Sequence, residues 1–219
     1  MKVTSERRYA LFQAARDSDY VKKVHGGYFN VFVKAFAEEG ETWDLFRVVE
    51  GEFPDMNELH KYDGFVISGS PLRRLWKRLL DSQAVLHPAN SGCHGEESPW
   101  NLLRSSGFVQ SAGWKSWKIV FWLGYWDKEN EVWEVPSGAE VIAFSDKTGV
   151  EMFAIGDHIL GIQGHPEYTK DILHNLIDRL LNSNSIESAF AENAKVRLEI
   201  AEPDRKSWEK ICRNFLKGR

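Results

Sequence analysis

A chain of 219 residues can build one sizeable α/β domain around a buried core. Its net charge of −4, without a long basic run, gives no support for binding to nucleic acid or to an anionic membrane. The two cysteines, Cys93 and Cys212, fit neither a disulfide framework nor a metal-ligand spacing, and no apolar run is long enough to span a bilayer. We therefore expect a cytosolic protein with no metal or other cofactor, whose oligomeric state the composition leaves open.

The first part of the chain alternates between predicted strands and helices. Strands are predicted over Arg8–Gln13, Thr42–Val49 and Gly64–Ile67, and helical segments over Ser18–Glu39 and Met56–Tyr62. This β-α-β alternation predicts a doubly wound, mostly parallel sheet. The apolar strand Gly64–Ile67 runs into a loop at Ser68 and Gly69, and sites in such sheets lie beyond the carboxyl ends of the strands.

The last part of the chain follows the same pattern. Strands are predicted over Ala139–Ser145, Glu151–Ile155 and His158–Gln163, a helix from near Thr169 to Leu180, a loop over Asn182–Ser188, and a final helix over Arg205–Leu216. The third of these strands runs directly into Gly164-His165-Pro166-Glu167-Tyr168. A histidine and a carboxylate two residues apart on an extended loop can project to the same side, which suits a base and the group that orients it.

The middle of the chain, from Leu72 to Lys128, lacks this pattern. Six of the nine tryptophans fall between Trp76 and Trp126, and much of the segment has no hydrophobic period. An irregular insertion of this length is unusual inside a compact domain. One interpretation is a binding module whose aromatic residues form a ligand or partner surface.

The flanks of this segment carry a family resemblance. With the stretches KYDGFVISGSP, EVWEVPSGAEVIAFSDKTGVEMFAIGDHILGIQGHPEY and DRKSWEKICRNFLKGR, the chain resembles class I glutamine amidotransferases, and most closely the plant γ-glutamyl peptidases. The resemblance covers 8–71 and 131–219. It implies a flavodoxin-like sheet, His165 as catalytic base, Glu167 as the carboxylate that orients it, and a backbone N–H at Gly69 in the oxyanion hole. It also implies small γ-glutamyl substrates such as glutathione conjugates, cleaved through an acyl-thioester.

The family's nucleophile is missing from its expected place. The family carries a cysteine in a strand–turn–helix elbow of the form G-[IV]-C-x-G-H-Q, and nothing of that form occurs in this sequence. Cys93 lies in Ser-Gly-Cys-His-Gly, with no buried strand before it and no clear helix after it. We therefore expect that Cys93 does not act as the nucleophile.

The genetic code offers an explanation for the irregular middle. Codons can be chosen for Leu72–Lys118 so that the same nucleotides, read one base displaced, encode a peptide containing LGICFGHQ. Its cysteine codon straddles Leu102 and Leu103. The hypothesis is that Leu72 to about Ile119 is translated out of frame, through a gene-model error, a sequencing slip or a pseudogene. The segment that relatives carry before Glu131 is then lost as well.

Three functions follow from these observations. The chain is an active γ-glutamyl hydrolase, a catalytically inactive member of that family with a binding or regulatory role or none, or a Trp-rich binding module. We favour the inactive family member, organised as one domain over 1–219 that contains an aberrant segment at 72–128. On this hypothesis the sheet should lose its central strand and the helix of the elbow.

Overall fold

The computed structural model describes residues 6–69, 117–122, 135, 138–146, 149–201 and 203–219. The chain divides into two compact units. The first contains 1–16, 38–164 and 214–219, and the second contains 17–37 and 165–213. The prediction of a single domain stays a prediction.

The first unit is built on a mixed sheet. Seven strands belong to it in the described part of the chain: β1 (Arg8–Phe12), β2 (Thr42–Phe46), β3 (Gly64–Ile67), β4 (Lys118–Trp122), β5 (Ala139–Ser145), β6 (Gly149–Ile155) and β7 (Ile159–Ile162). Their order across the sheet is β2-β1-β3-β4-β7-β6-β5. The five strands from β2 to β7 pair in parallel, and β6 and β5 continue the sheet antiparallel. The predicted α/β class with a mostly parallel sheet is confirmed.

The expectation that the sheet would lose its central strand is wrong. Strand β4 lies between β3 and β7, with Lys118 opposite Gly64 and Ile119 opposite Ile159. Ile119 and Val120 are almost completely buried, as is Trp122. An apolar run of β-branched and aromatic residues is what a strand buried on both faces requires, so these residues supply a central strand. The rest of the segment Leu72–Lys128, with Cys93 and the predicted loss of the elbow helix, lies outside the described residues.

A hydrophobic core forms against this sheet. Phe12 of β1 and Phe65 of β3 are fully buried, with ring centroids 5.4 Å apart, and the ring of Tyr62 lies 5.4 Å from that of Phe65. Two short 3-10 helices, Val48–Glu50 and Met56–Lys61, add Val48 and Leu59 to the same cluster. Alternate residues of β1 and β3 thus contribute to one hydrophobic cluster.

The second unit is helical in the residues described. It contains α1 (Asp19–His25), α2 (Tyr28–Phe36), α3 (Lys170–Asn182), α4 (Ser188–Ile200) and most of α5 (Arg205–Leu216). No described helix is both long enough and apolar enough to cross a membrane. Helix α4 is an addition to the predicted elements, because no element is predicted between the loop Asn182–Ser188 and the final helix.

Two glycines divide the predicted helix Ser18–Glu39. Gly26 ends α1 in the left-handed conformation with φ of 73°, and Gly27 follows with φ of 107°. A Cβ atom on Gly27 would lie 3.0 Å from the carboxylate of Asp17, which accepts a 2.7 Å hydrogen bond from the N–H of Tyr28. Glycine is therefore required at this sharp change of direction. A second helix, α2, begins at Tyr28.

Candidate active site

The predicted histidine–carboxylate pair is formed. His165 Nδ1 lies 2.6 Å from Glu167 Oε1, the distance of a strong charge-assisted hydrogen bond. The side chain of Glu167 is fully buried, whereas that of His165 is 20% exposed. A buried carboxylate beside Nδ1 favours the tautomer in which Nδ1 carries the proton, and it leaves Nε2 available as a base.

A turn, and not an extended loop, brings the two side chains together. The N–H of Tyr168 donates to the carbonyl of His165 over 3.1 Å, which places Pro166 and Glu167 at the two central positions of a β-turn. Proline is favoured at the first of these positions because its φ is already fixed. The expectation of an extended loop is therefore wrong, although the hydrogen bond that it was meant to explain is present.

Arg205 at the start of helix α5 binds the backbone of this turn. Arg205 Nε donates to the carbonyl of Pro166 over 3.0 Å, and its Nη2 lies 2.9 Å from Glu209 Oε1. The ion pair keeps the guanidinium in the orientation that the hydrogen bond to the turn needs. Sequence reasoning did not find Arg205, because its partner is a backbone carbonyl, which leaves no signal in the side chains.

Aromatic residues surround the histidine. The ring of Tyr168 stacks on that of His165 with centroids 4.3 Å apart and planes inclined by 5°. The ring of Tyr28 stacks in turn on Tyr168 at 5.7 Å. Burial raises the pKa of Tyr168 well above its usual value, with the neighbouring Tyr28 and the Glu167 carboxylate acting in the same direction, so the phenol stays neutral. The tyrosine that directly follows the motif is the one sign of this stack in the sequence.

The cysteine in the described residues cannot supply a nucleophile. Cys212 of α5 is a free thiol with 1% of its surface exposed. Burial raises the pKa of this thiol far above its ordinary value, and the negative charges of Glu167 and Glu209 add to the effect. A thiol that neither ionises nor meets solvent is a structural side chain.

Gly69 follows the carboxyl end of β3. The loop before it is fixed to β1: Ser68 N donates to the carbonyl of Phe12 over 3.0 Å, and Ser68 Oγ accepts from the N–H of Ala14 over 2.9 Å. Strands β3 and β7 run parallel with one strand between them, and His165 comes three residues after the end of β7. The role of Gly69 in an oxyanion hole stays a prediction. Among the residues described, no group of three or more histidine, cysteine or acidic side chains could hold a metal ion.

Comparison with solved structures identifies the class of fold. A glutamine amidotransferase from Thermotoga maritima superposes with a TM-score of 0.57 over 97% of each chain, with 13% of residues identical. The fold is thus that of class I glutamine amidotransferase-like proteins. No protein-family model matches the chain.

Curated relatives identify the family. The chain is 43% identical to γ-glutamyl peptidase 5 of Arabidopsis thaliana, across 99% of this chain and 98% of the relative. It is 41% identical to γ-glutamyl peptidase 3 of the same plant, across 99% of both. The chain belongs to the γ-glutamyl peptidase family, and the resemblance inferred from its sequence is confirmed.

Proposed function

We propose that this chain is a γ-glutamyl peptidase homologue that retains the base and its orienting carboxylate but lacks a working nucleophile. As written, it does not turn over γ-glutamyl substrates. The observation that carries the proposal is the contrast between two groups. The hydrogen bond from His165 to Glu167 is formed, whereas Cys212 is a buried, protonated thiol.

The reaction explains why this contrast matters. Cleaving a γ-glutamyl amide through a covalent intermediate requires a thiolate that attacks the carbonyl carbon. His165 would take the thiol proton at Nε2 and deliver it to the leaving amine, while Glu167 stabilises the imidazolium through Nδ1. These two residues can move protons, but they cannot form the acyl-thioester. Removing the nucleophile or the base from such a unit costs on the order of a millionfold in kcat.

The comparison with relatives supports the hypothesis of an altered middle segment. The alignment with γ-glutamyl peptidase 5 extends over 251 positions, although this chain has 219 residues. The relative therefore carries residues that this chain lacks, and we propose that they belong to a segment before Glu131. Residues 72–118, read one base displaced, would then restore the cysteine elbow. The proposed substrate of the restored enzyme is a small γ-glutamyl compound such as a glutathione conjugate, and the proposed location is the cytosol.

Expression of two versions tests the proposal. The first is the chain as given, and the second carries the displaced-frame segment together with the stretch missing before Glu131. Glutamate release from glutathione should be measurable only for the second version, and a His165→Ala variant of it should lose the activity. Robust and equal turnover by both versions would overturn the proposal.

Alkylation of thiols separates the two cysteines. Native Cys212 should resist iodoacetamide until the protein is unfolded, because burial keeps it protonated. Should the chain as given prove active, a Cys93→Ala variant would show whether that thiol is responsible. Loss of turnover in this variant would restore Cys93 as the nucleophile.

A further inference from the structure

His165 is held by two contacts that act at right angles to each other. The hydrogen bond to Glu167 lies in the plane of the imidazole and selects which edge of the ring faces the carboxylate. The stack on Tyr168 lies perpendicular to that plane, with centroids 4.3 Å apart and the rings within 5° of parallel. Rotation about χ2 of histidine is broad and weakly restricted by the side chain itself, so a hydrogen bond alone leaves the ring free to tilt.

The three residues after His165 form a turn that carries both contacts of its imidazole ring. The N–H of Tyr168 donates to the carbonyl of His165 over 3.1 Å and closes the turn. This turn brings the two rings face to face. Tyr168 is itself partly buried, and its other contact with an aromatic ring, the stack on Tyr28, restrains it further. The described residues that hold the histidine come from 17–37 and 165–213, outside the segment that would carry the cysteine elbow.

We propose that Tyr168 is a positioning residue, which holds the ring plane of His165 so that Nδ1 keeps its hydrogen bond to Glu167 and Nε2 stays free to accept a proton. This inference rests on the proposed role of His165 as the base. The aromatic face of Tyr168 performs the positioning, and its hydroxyl is not needed. Phenylalanine should therefore replace it, whereas an aliphatic side chain of similar hydrophobicity should not.

Nitrogen NMR of the chain as given tests the inference without any catalytic reaction. Protein labelled with ¹⁵N in its histidine rings reports the tautomer of His165, assigned by comparison with His165→Gln. The spectra are recorded at a pH high enough for the imidazole to be neutral, where we expect one tautomer with the proton on Nδ1, both in the original chain and in Tyr168→Phe. In Tyr168→Leu the two ring nitrogens should shift toward the averaged values of a free imidazole. A single Nδ1–H tautomer in the folded Tyr168→Leu variant would overturn the proposal.

Two further measurements cover the remaining outcomes. If Tyr168→Leu does not fold, Tyr168→Met keeps a long apolar side chain without a flat ring and should give the same averaging. In the version with the restored elbow, Tyr168→Leu should lower kcat roughly tenfold to a hundredfold with little change in KM, because a small misplacement of a catalytic group slows the reaction strongly. The Tyr168→Phe variant of the same version should keep the original kcat. An inactive restored version would contradict the proposed function alone, because the tautomer is measured independently.

Discussion

A buried ion pair near the end of the chain should contribute measurably to the stability of the protein. Lys217 forms an ion pair with Glu41, and the two side chains are 0% and 5% exposed. The ammonium also lies 4.5 Å from the centroid of the Tyr9 ring. Glu41 accepts further hydrogen bonds from the N–H of Glu38 and from the indole of Trp43. Burial lowers the pKa of Lys217, and the attraction of Glu41 opposes that change.

Replacing one partner should cost much more than replacing both. Lys217→Met leaves a buried carboxylate without its counter-charge, and breaking such a pair costs about 3–5 kcal/mol. For a chain of this size about 1 kcal/mol corresponds to 2–4 °C in Tm, so the smallest loss is roughly 6 °C. Glu41→Gln keeps an acceptor for the two N–H donors and removes the charge. The double variant should therefore be more stable than the sum of the single effects predicts, by about 1–3 kcal/mol.

Thermal and urea unfolding of the three variants measure this coupling. The matched control is the pair Lys61–Glu58, whose side chains are 42% and 53% exposed. Exposed pairs contribute less than about 1 kcal/mol, so Lys61→Met should shift Tm by no more than a few degrees. If Lys217→Met behaves like this control, or if the two single effects simply add, the buried pair does not exist as described.

Two other predictions concern the sheet and the helices. A Cβ atom at Gly64 would lie 2.8 Å from a backbone oxygen of β4. Gly64→Ala should therefore destabilise the protein by about 1–3 kcal/mol, measured by urea unfolding. The control is Gly164→Ala, which should be nearly neutral because nothing lies within 4 Å of its Cβ position. Equal effects would argue against β4 as the neighbour of β3. Burial raises the pKa of Asp171, but hydrogen bonds from neighbours that include His25 and Tyr20 outweigh it, and the net pKa falls well below its ordinary value. Because the folded pKa lies below the unfolded one, Asp171 stabilises the protein above about pH 4 and loses this effect as the pH falls through the lowered pKa. Asp171→Asn should thus lower Tm at pH 7 more than at pH 3, and an equal loss at both values would contradict the assignment.

Elements with strong local patterns were predictable from the sequence. Strands β3 and β5 and helix α5 have the predicted bounds, because apolar runs bounded by glycine or proline, and a clear helical stripe, leave little choice. Helix α4 was missed for a physical reason. Ala191 is buried, but Phe190, Val196 and Ile200 are exposed apolar residues, so apolar side chains occur around most of the helix and no stripe is visible.

The catalytic side chains of the candidate site are predictable from the sequence, but the contacts that hold them in place are not. The hydrogen bond between His165 and Glu167 follows from the motif, whereas the turn that forms it was expected to be an extended loop. The stack of Tyr168 depends on that turn, and the clamp by Arg205 depends on where α5 begins. Contacts of this kind need the tertiary structure, because nothing in their spacing marks them.

The pairing of β4 with β3 joins residues that are far apart in the chain. Ile67 ends one strand and Lys118 begins the other, with about fifty residues between them. The entropy of closing a connection grows only with the logarithm of its length, so that doubling or halving it changes the free energy by roughly 0.6 kcal/mol. The length of the chain between these two strands therefore has little influence on the free energy of pairing them. Insertions or deletions between β3 and β4 can therefore change the residues available for chemistry, while the entropy of closing this part of the chain changes by less than about 1 kcal/mol.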